Sequence, residues 1–489
     1  MKRNYLVCSY LKNKQLLVLW FATSVAIFVI TQTAYAISLD TWIQKENAIA
    51  KKFLFQNISP PGTTPGVIVA SPSTSNPDYY YHWVRDSAIV VKAVLFLYKT
   101  SQSPQDRRQY LQDLRNYVNF TQAIQQTAVE DGLGLGEPKF YPDGSLYKKP
   151  WGRPQNDGPA MRALGLINFA NIMIRQGEKA YVKHFLYDSK TPTNSVIKKD
   201  LDYVLNHWKE PSYGPWEEVR GRHFYVDLLS KKALTEGAQL ALELGDITSA
   251  LQYLKQVYLI ELELARYWNS EKGYIVATLD QDAGPNYKKS GLDAAVIVAV
   301  LAEGYNDGSS YSISDERILS TFTALVNEFQ KIYPINNPEG YFPGIAIGRY
   351  PEDRYDGYQT NSTGNPWSSL TLSAALFCYR LAQHYQTEQK PILITQINLS
   401  FFKRLLKSES LRVGERIMPN DSLFRAILNS LKEDGDRFMA RIQAHINEDG
   451  SLSEQINRIT GFQQGASHLS LNYAAFLLAV GARNSLQMH

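Results

Sequence analysis

Twelve stretches with the hydrophobic period of an α-helix take up most of this 489-residue chain, and only a fold built of helices can absorb them. They run over residues 39–55, 87–98, 106–127, 160–176, 195–208 and 224–244, then 247–268, 293–304, 315–332, 368–385, 422–446 and 469–486. Strand-like alternation is rare and short, so the expectation is an all-α body with a few small hairpins. The segments between helices are not alike. Those at 78–86, 147–158, 213–222, 287–291, 348–367 and 452–468 are rich in aromatic, charged, Gly and Pro residues, and each precedes a helix. Between one such helix and the next there is usually one plainer helix. Alternating plain and decorated helices around a ring would gather six polar, aromatic mouths at one end. That is an (α/α)6 toroid, with the active-site funnel formed by the loops that precede the inner helices. An undifferentiated bundle gives no reason for decoration at alternate helix starts, and the unequal period argues against a solenoid of short repeats. Residues 60–77 are rich in Pro, Ser and Thr but carry the apolar run 67–70, which predicts an ordered extended loop. Residues 387–420 are irregular and suggest no element.

The N-terminus reads as an export signal. Lys2, Arg3, Lys12 and Lys14 precede an apolar run over 16–30, and Ala34-Tyr35-Ala36 offers a small-x-small cleavage site, so residues 1–36 are expected to be removed. The apolar run is short for a membrane span of about 20 residues. Removing those four basic residues from the 51 present leaves 47 against 47 acidic, a nearly neutral chain. Nothing in that balance favours nucleic acid or an anionic membrane as partner. Cys8 goes with the leader, so Cys378 stands alone and no intramolecular disulfide can form. The eight His are scattered without metal-ligand spacing, and no metal site is expected. The resulting expectation is a secreted or periplasmic monomer: one domain over 37–489, with no linker leading to a second globular module.

Hydrolysis of an acetal needs a proton for the leaving oxygen and help for the attacking water, and glycosidases commonly take both from two carboxyl groups on separate segments. Glu217 and Glu454 are the candidate pair. Glu217 sits in Tyr213-Gly-Pro-Trp216-Glu217-Glu218-Val219. An indole and a second carboxylate beside it would favour its neutral form, the state a general acid needs. Adjacent side chains cannot share a direction, so Glu218 is expected to bind a sugar hydroxyl instead. Arg85 and Asp86 lie amid four rings in Tyr79-Tyr80-Tyr81-His82-Trp83-Val84-Arg85-Asp86. Such a pair can grip adjacent hydroxyls, or can serve only as a helix N-terminal Asp with a structural Arg. The same mixture recurs around Trp151 and around Arg349. Singly each is weak; together, at successive helix starts, they point to a carbohydrate site.

Read in order, these segments resemble glycoside hydrolase family fifteen, the glucoamylases. The resemblance rests on Tyr-His-Trp-Val-Arg-Asp-Ser-Ala (81–88), Gly-Leu-Gly-Glu-Pro-Lys-Phe (134–140) and Trp-Gly-Arg-Pro-Gln-Asn-Asp-Gly-Pro-Ala (151–160). It continues through Trp-Glu-Glu-Val (216–219), Gly-Arg-Tyr-Pro-Glu-Asp (348–353), Gly-Asn-Pro-Trp (364–367) and Ser-Glu-Gln (453–455). It implies an (α/α)6 barrel, no cofactor, and release of β-glucose from non-reducing ends of α-1,4 glucans, with slower α-1,6 cleavage. It further implies Glu217 as general acid and Glu454 as general base. Arg85, Asp86 and Arg349 would bind the terminal glucose, Trp216 and Glu218 would flank the acid, and Tyr79 and Trp151 would wall the pocket. Three departures touch subsite shape: Ile456 where an aromatic is usual, Leu471 where Trp is common, and an expanded loop at 354–363. They keep open a dextran-like α-1,6 glucan or trehalose as substrate. A non-catalytic glucan-binding protein would have no need of both carboxyls.

Overall fold

The computed structural model describes residues 38–486 apart from 131, 133, 192–194, 304–309 and 338–343, so the expected leader lies outside the described residues. Packing divides the chain into two units, residues 1–45 and 46–489. Of the first, only 38–45 are described, where helix α1 (Leu39–Gln56) begins. The second holds the rest of α1 and the helices α2 (Val84–Thr100), α3 (Pro104–Glu130), α4 (Asp157–Arg175), α5 (Val196–His207), α6 (Phe224–Leu244) and α7 (Ile247–Leu264). It continues with α8 (Ala295–Glu303), α9 (Glu316–Ile332), α10 (Ser368–Glu388), α11 (Leu399–Leu406), α12 (Ser422–His445) and α13 (Ser470–Asn484).

Six of these close a ring. Helix α2 packs on α4, α4 on α6, α6 on α8, α8 on α10, α10 on α13, and α13 back on α2. Five of them carry a plainer helix on the outside: α3 lies against α2, α5 against α4, α7 against α6, α9 against α8 and α12 against α10. The division follows from composition. Fifteen of the 19 residues of α4 are buried, so it must be covered all round, whereas nine of the 27 in α3 are, enough for one face only. The toroid expected from the sequence is what the structure shows, with helix bounds within a few residues of those read from periodicity.

Among the described residues, strands are confined to five small antiparallel sheets. Two matter for the site: β1 (His82–Trp83) with β2 (Lys139–Phe140), and β3 (Ser212–Tyr213) with β4 (Arg220–His223) and β5 (Thr278–Ala283). A third pairs β6 (Gln455–Ile456) with β7 (Gln463–Gln464). Segment 67–70 is buried as the core of an extended loop. The unassigned stretch 387–420 holds α11 and the pairing of Ile392–Leu393 with Arg416–Ile417, elements too short for periodicity to reveal.

One buried ion pair ties inner ring to outer. Arg162 of α4 makes a forked contact with Asp200 of α5, at 2.8 Å from Nε and 2.6 Å from Nη2, with both residues almost wholly buried. Asp200→Ala would strand a guanidinium in the core. The expected cost is about 3–5 kcal/mol, read as a lowered denaturant midpoint with unchanged slope.

Candidate active site

Helices α2, α4, α6, α8, α10 and α13 each begin where a decorated segment ends, so those segments share one end of the ring. Their convergence builds the site. Helices α2, α6, α10 and α13 start after residues in extended conformation without a side-chain cap. Their leading N–H groups add positive potential to that end.

Glu217 lies in the turn between β3 and β4, where its N–H donates to the Gly214 carbonyl at 2.9 Å. Its φ is +64°, a left-handed conformation costing a non-glycine residue about 1–2 kcal/mol. Such strain, held in place by the sheet, aims the side chain across the mouth. One oxygen, Oε1, accepts from Trp83 Nε1 at 2.8 Å, Gln155 Nε2 at 2.9 Å and Arg85 Nη2 at 3.4 Å. Oε2 has no partner among the described residues and is not sealed from solvent. One oxygen is thus anchored and the other is offered.

Glu218 turns away from Glu217, accepting from Arg349 Nη2 at 2.7 Å and from the Tyr350 hydroxyl at 2.5 Å. The Arg85 guanidinium faces Glu217 at 3.4 Å. Glu218 is held by a cation whose Nε also donates to Asp353 Oδ2 at 2.8 Å. Arg349 Nη1 has no partner among the described residues and is its free donor.

Glu454 immediately precedes β6 and is fully buried. Tyr79 donates to its Oε1 at 2.9 Å and Tyr355 to its Oε2 at 3.2 Å, while the two hydroxyls meet at 2.9 Å. Burial pushes this carboxyl up to about 8, against the pull of the Tyr79 hydroxyl, the Arg349 charge and the Tyr355 hydroxyl. Gly465 permits the approach: a Cβ there would stand 2.5 Å from Glu454 Oε2, and its φ of +78° suits glycine. The two carboxyls are joined through rings. Tyr79, bonded to Glu454, sits edge-on to Trp83, bonded to Glu217, with centroids 5.5 Å apart.

The remaining predicted residues fall around this pair. Arg85 Nη1 donates to Gln155 Oε1 at 2.9 Å and lies 3.3 Å from Asp157. Asp86, in the first turn of α2, meets Arg85 only at 3.7 Å, and no other side chain hydrogen-bonds it among the described residues. Burial raises it to about 6, opposed by Arg85. Trp216 donates to Asp293 at 2.9 Å, and Asp293 in turn caps the start of α8 through the Ala295 N–H. Trp151, partly exposed, stands 6.2 Å from Trp83.

Sequence reasoning missed Tyr355, Gln155 and Lys139. Tyr355 comes from the expanded loop 354–363, marked in the sequence only as a departure. Lys139 is paired with Trp83 across β1 and β2, and its ammonium lies 3.5 Å from the Trp151 ring centre, 3.8 Å from Tyr147, 4.3 Å from Tyr81 and 4.4 Å from Trp83. A cation among four ring faces fixes the planes of the pocket wall. Of the departures, Ile456 is buried, and Leu471 lines, together with Arg85 and Trp216, an apolar cavity of about 790 Å³.

Comparison with known proteins agrees with this geometry. A "Glucoamylase" of Blastobotrys adeninivorans is 38% identical over 92% of this chain and 73% of its own length. A protein of Saccharomyces cerevisiae named "Glucoamylase, intracellular sporulation-specific" is 30% identical over 90% of this chain and 83% of its own. The solved glucoamylase of Saccharomycopsis fibuligera superposes with a TM-score of 0.83 at 33% identity, covering 91% of this chain and 96% of that one. The family model described as glycosyl hydrolases family 15 matches residues 48–481, and the chain belongs to that family.

Proposed function

We propose that Glu217 protonates the glycosidic oxygen and Glu454 deprotonates the attacking water in a single displacement at the non-reducing end of an α-glucan. Family membership makes the chain a glycoside hydrolase, an exo-acting glucoamylase on α-glucans. The observation that supports the division of roles is the asymmetry of the two carboxyls. Glu217 has one oxygen anchored by three donors and the other free toward the mouth, where a proton on Oε2 can meet a leaving oxygen. Burial raises Glu454, and the hydroxyls of Tyr79 and Tyr355 work against that rise, favouring the ionised form that a base acting on one water needs. Single displacement requires about 6.5–9.5 Å between the carboxyls, leaving room for that water.

In this reading Asp86 and the free Nη1 of Arg349 grip the terminal glucose, the first accepting and the second donating. Arg85 holds Glu217 and Asp86 together. Glu218, braced by Arg349, borders the next sugar, and Trp216, Tyr79 and Trp151 wall the pocket. The test is the anomer first released from maltodextrin, followed by NMR. β-Glucose alone is the expected product; α-glucose would mean retention and break the assignment.

Tyr355 should matter through Glu454. Its hydroxyl stabilises the ionised base, so Tyr355→Phe is expected to move the ascending limb of the kcat/KM profile up by about one pH unit, the worth of a hydrogen bond to a charged group. The limb reports the free enzyme, in which this bond is made.

We further propose cleavage after Ala36 and export, on the strength of the basic start, the apolar run and the Ala-x-Ala site. Among the described residues no helix is long and apolar enough to cross a membrane. N-terminal sequencing of the protein from culture medium tests this; a chain retained in the cell and beginning at Met1 would place it with the relative named as intracellular.

A further inference from the structure

Helix α7 lies on the outside of the ring, yet it is apolar on both sides. Its inner face buries Ala250, Tyr253, Ile260 and Leu264 against the barrel. Its outer face presents Ile247, Leu251, Leu254, Tyr258 and Leu262, each between 43% and 65% exposed. Scattered exposed apolar residues need no explanation, but these five share one stripe, spaced four, three, four and four residues apart. A second apolar stripe on the solvent side of an outer helix is a surface suited to being covered.

We propose that this stripe is the interface of a two-fold homodimer, in which α7 packs antiparallel against α7 of a second copy. The spacing argues for a second copy rather than an unrelated partner. In an antiparallel pair with its axis between Leu254 and Lys255, Ile247 faces Leu262, Leu251 faces Tyr258, and the two Leu254 side chains lie next to each other on either side of the axis. The five large residues thus meet one another along the seam. Alternating four- and three-residue steps are those by which helices interlock knob into hole, and a two-fold contact must be complementary to itself. Five side chains covering roughly 100 Å² each give about 500 Å² per copy and about 1,000 Å² for the pair. That is the lower bound for a specific interface, so the dimer should form at micromolar rather than nanomolar concentration. Lys255 flanks the seam beside the axis and would meet its counterpart at the rim, so added salt should tighten the dimer. The active-site residues are on other segments, and each copy is a complete enzyme.

Sedimentation velocity from low to high micromolar concentration should show a reversible shift from monomer to dimer mass, sharper at higher salt. Leu251→Glu combined with Tyr258→Glu should leave a monomer with unchanged kcat. Leu254→Cys should form a disulfide between equivalent positions on mild oxidation, located by peptide mass spectrometry, while Leu242→Cys, exposed at the end of α6, should not. A wild-type chain that stays monomeric throughout, or a dimer that survives the double substitution, overturns the proposal.

Discussion

Replacing Glu217 by Gln is expected to lower kcat on maltodextrin by about 10²–10⁴-fold, the usual worth of a positioned proton donor. KM should change little. Gln suits the site because all three donors aim at Oε1. The amide oxygen can take that place under Trp83, Gln155 and Arg85, leaving the amide nitrogen where Oε2 was offered. The fold and the ring contacts therefore survive, and only the transferable proton is lost. A substrate that needs no such proton isolates the role. α-Glucosyl fluoride, whose leaving group departs unaided, should be turned over far better by this variant than maltodextrin, relative to wild type. Equal losses on both substrates would show that Glu217 does something other than protonate the leaving oxygen.

Replacing Glu454 by Gln should cost activity on a similar scale but differ in two ways. The fluoride gives no relief, because the missing function is activation of water. The variant should also be more stable than wild type above about pH 5. The folded carboxyl is raised from 4.5 to about 8, so the native state holds its proton while the unfolded chain releases it. Stability from this group is complete below the unfolded pKa and is lost as pH rises through the folded one, with a loss of order 3 kcal/mol by pH 7. Gln has no proton to release, so the wild-type decline between about pH 5 and 8 should flatten. Thermal midpoints of both proteins across that window measure it. Parallel curves would show that Glu454 is not raised. A carboxyl that weakens the fold at the pH where it is retained is one kept for chemistry.

How much of this was legible beforehand follows from how each feature is encoded. Helical period and the alternation of plain and decorated segments are local, so ring, bounds and mouth could all be read from residue spacing. Glu217 and Glu454 could be nominated because their neighbours carry a recognisable pattern. The direction of a side chain is another matter. Nothing in Trp-Glu-Glu-Val says that Glu218 turns to Arg349, some 130 residues away, because that depends on the φ of +64° at Glu217 and on the packing of two distant loops. Tyr355 escaped notice because its loop is longer than the family pattern, and length says nothing of where a hydroxyl ends. Lys139 was in plain sight within Gly-Leu-Gly-Glu-Pro-Lys-Phe, but its four rings come from two other segments that meet it only in the folded chain.

The way the ring closes carries one more consequence. Its first inner helix, α2, packs against its last, α13, and the seam is stitched by side chains: Asn57 donates to the His468 carbonyl at 2.8 Å and Ser470 to the Val69 carbonyl at 2.6 Å. Tyr79, on one side of that seam, bonds Glu454, on the other. A polypeptide stopped before the last few dozen residues thus lacks both the final stave of the barrel and one of the two carboxyls. A chain stopped short of that seam is therefore expected to release no glucose at all.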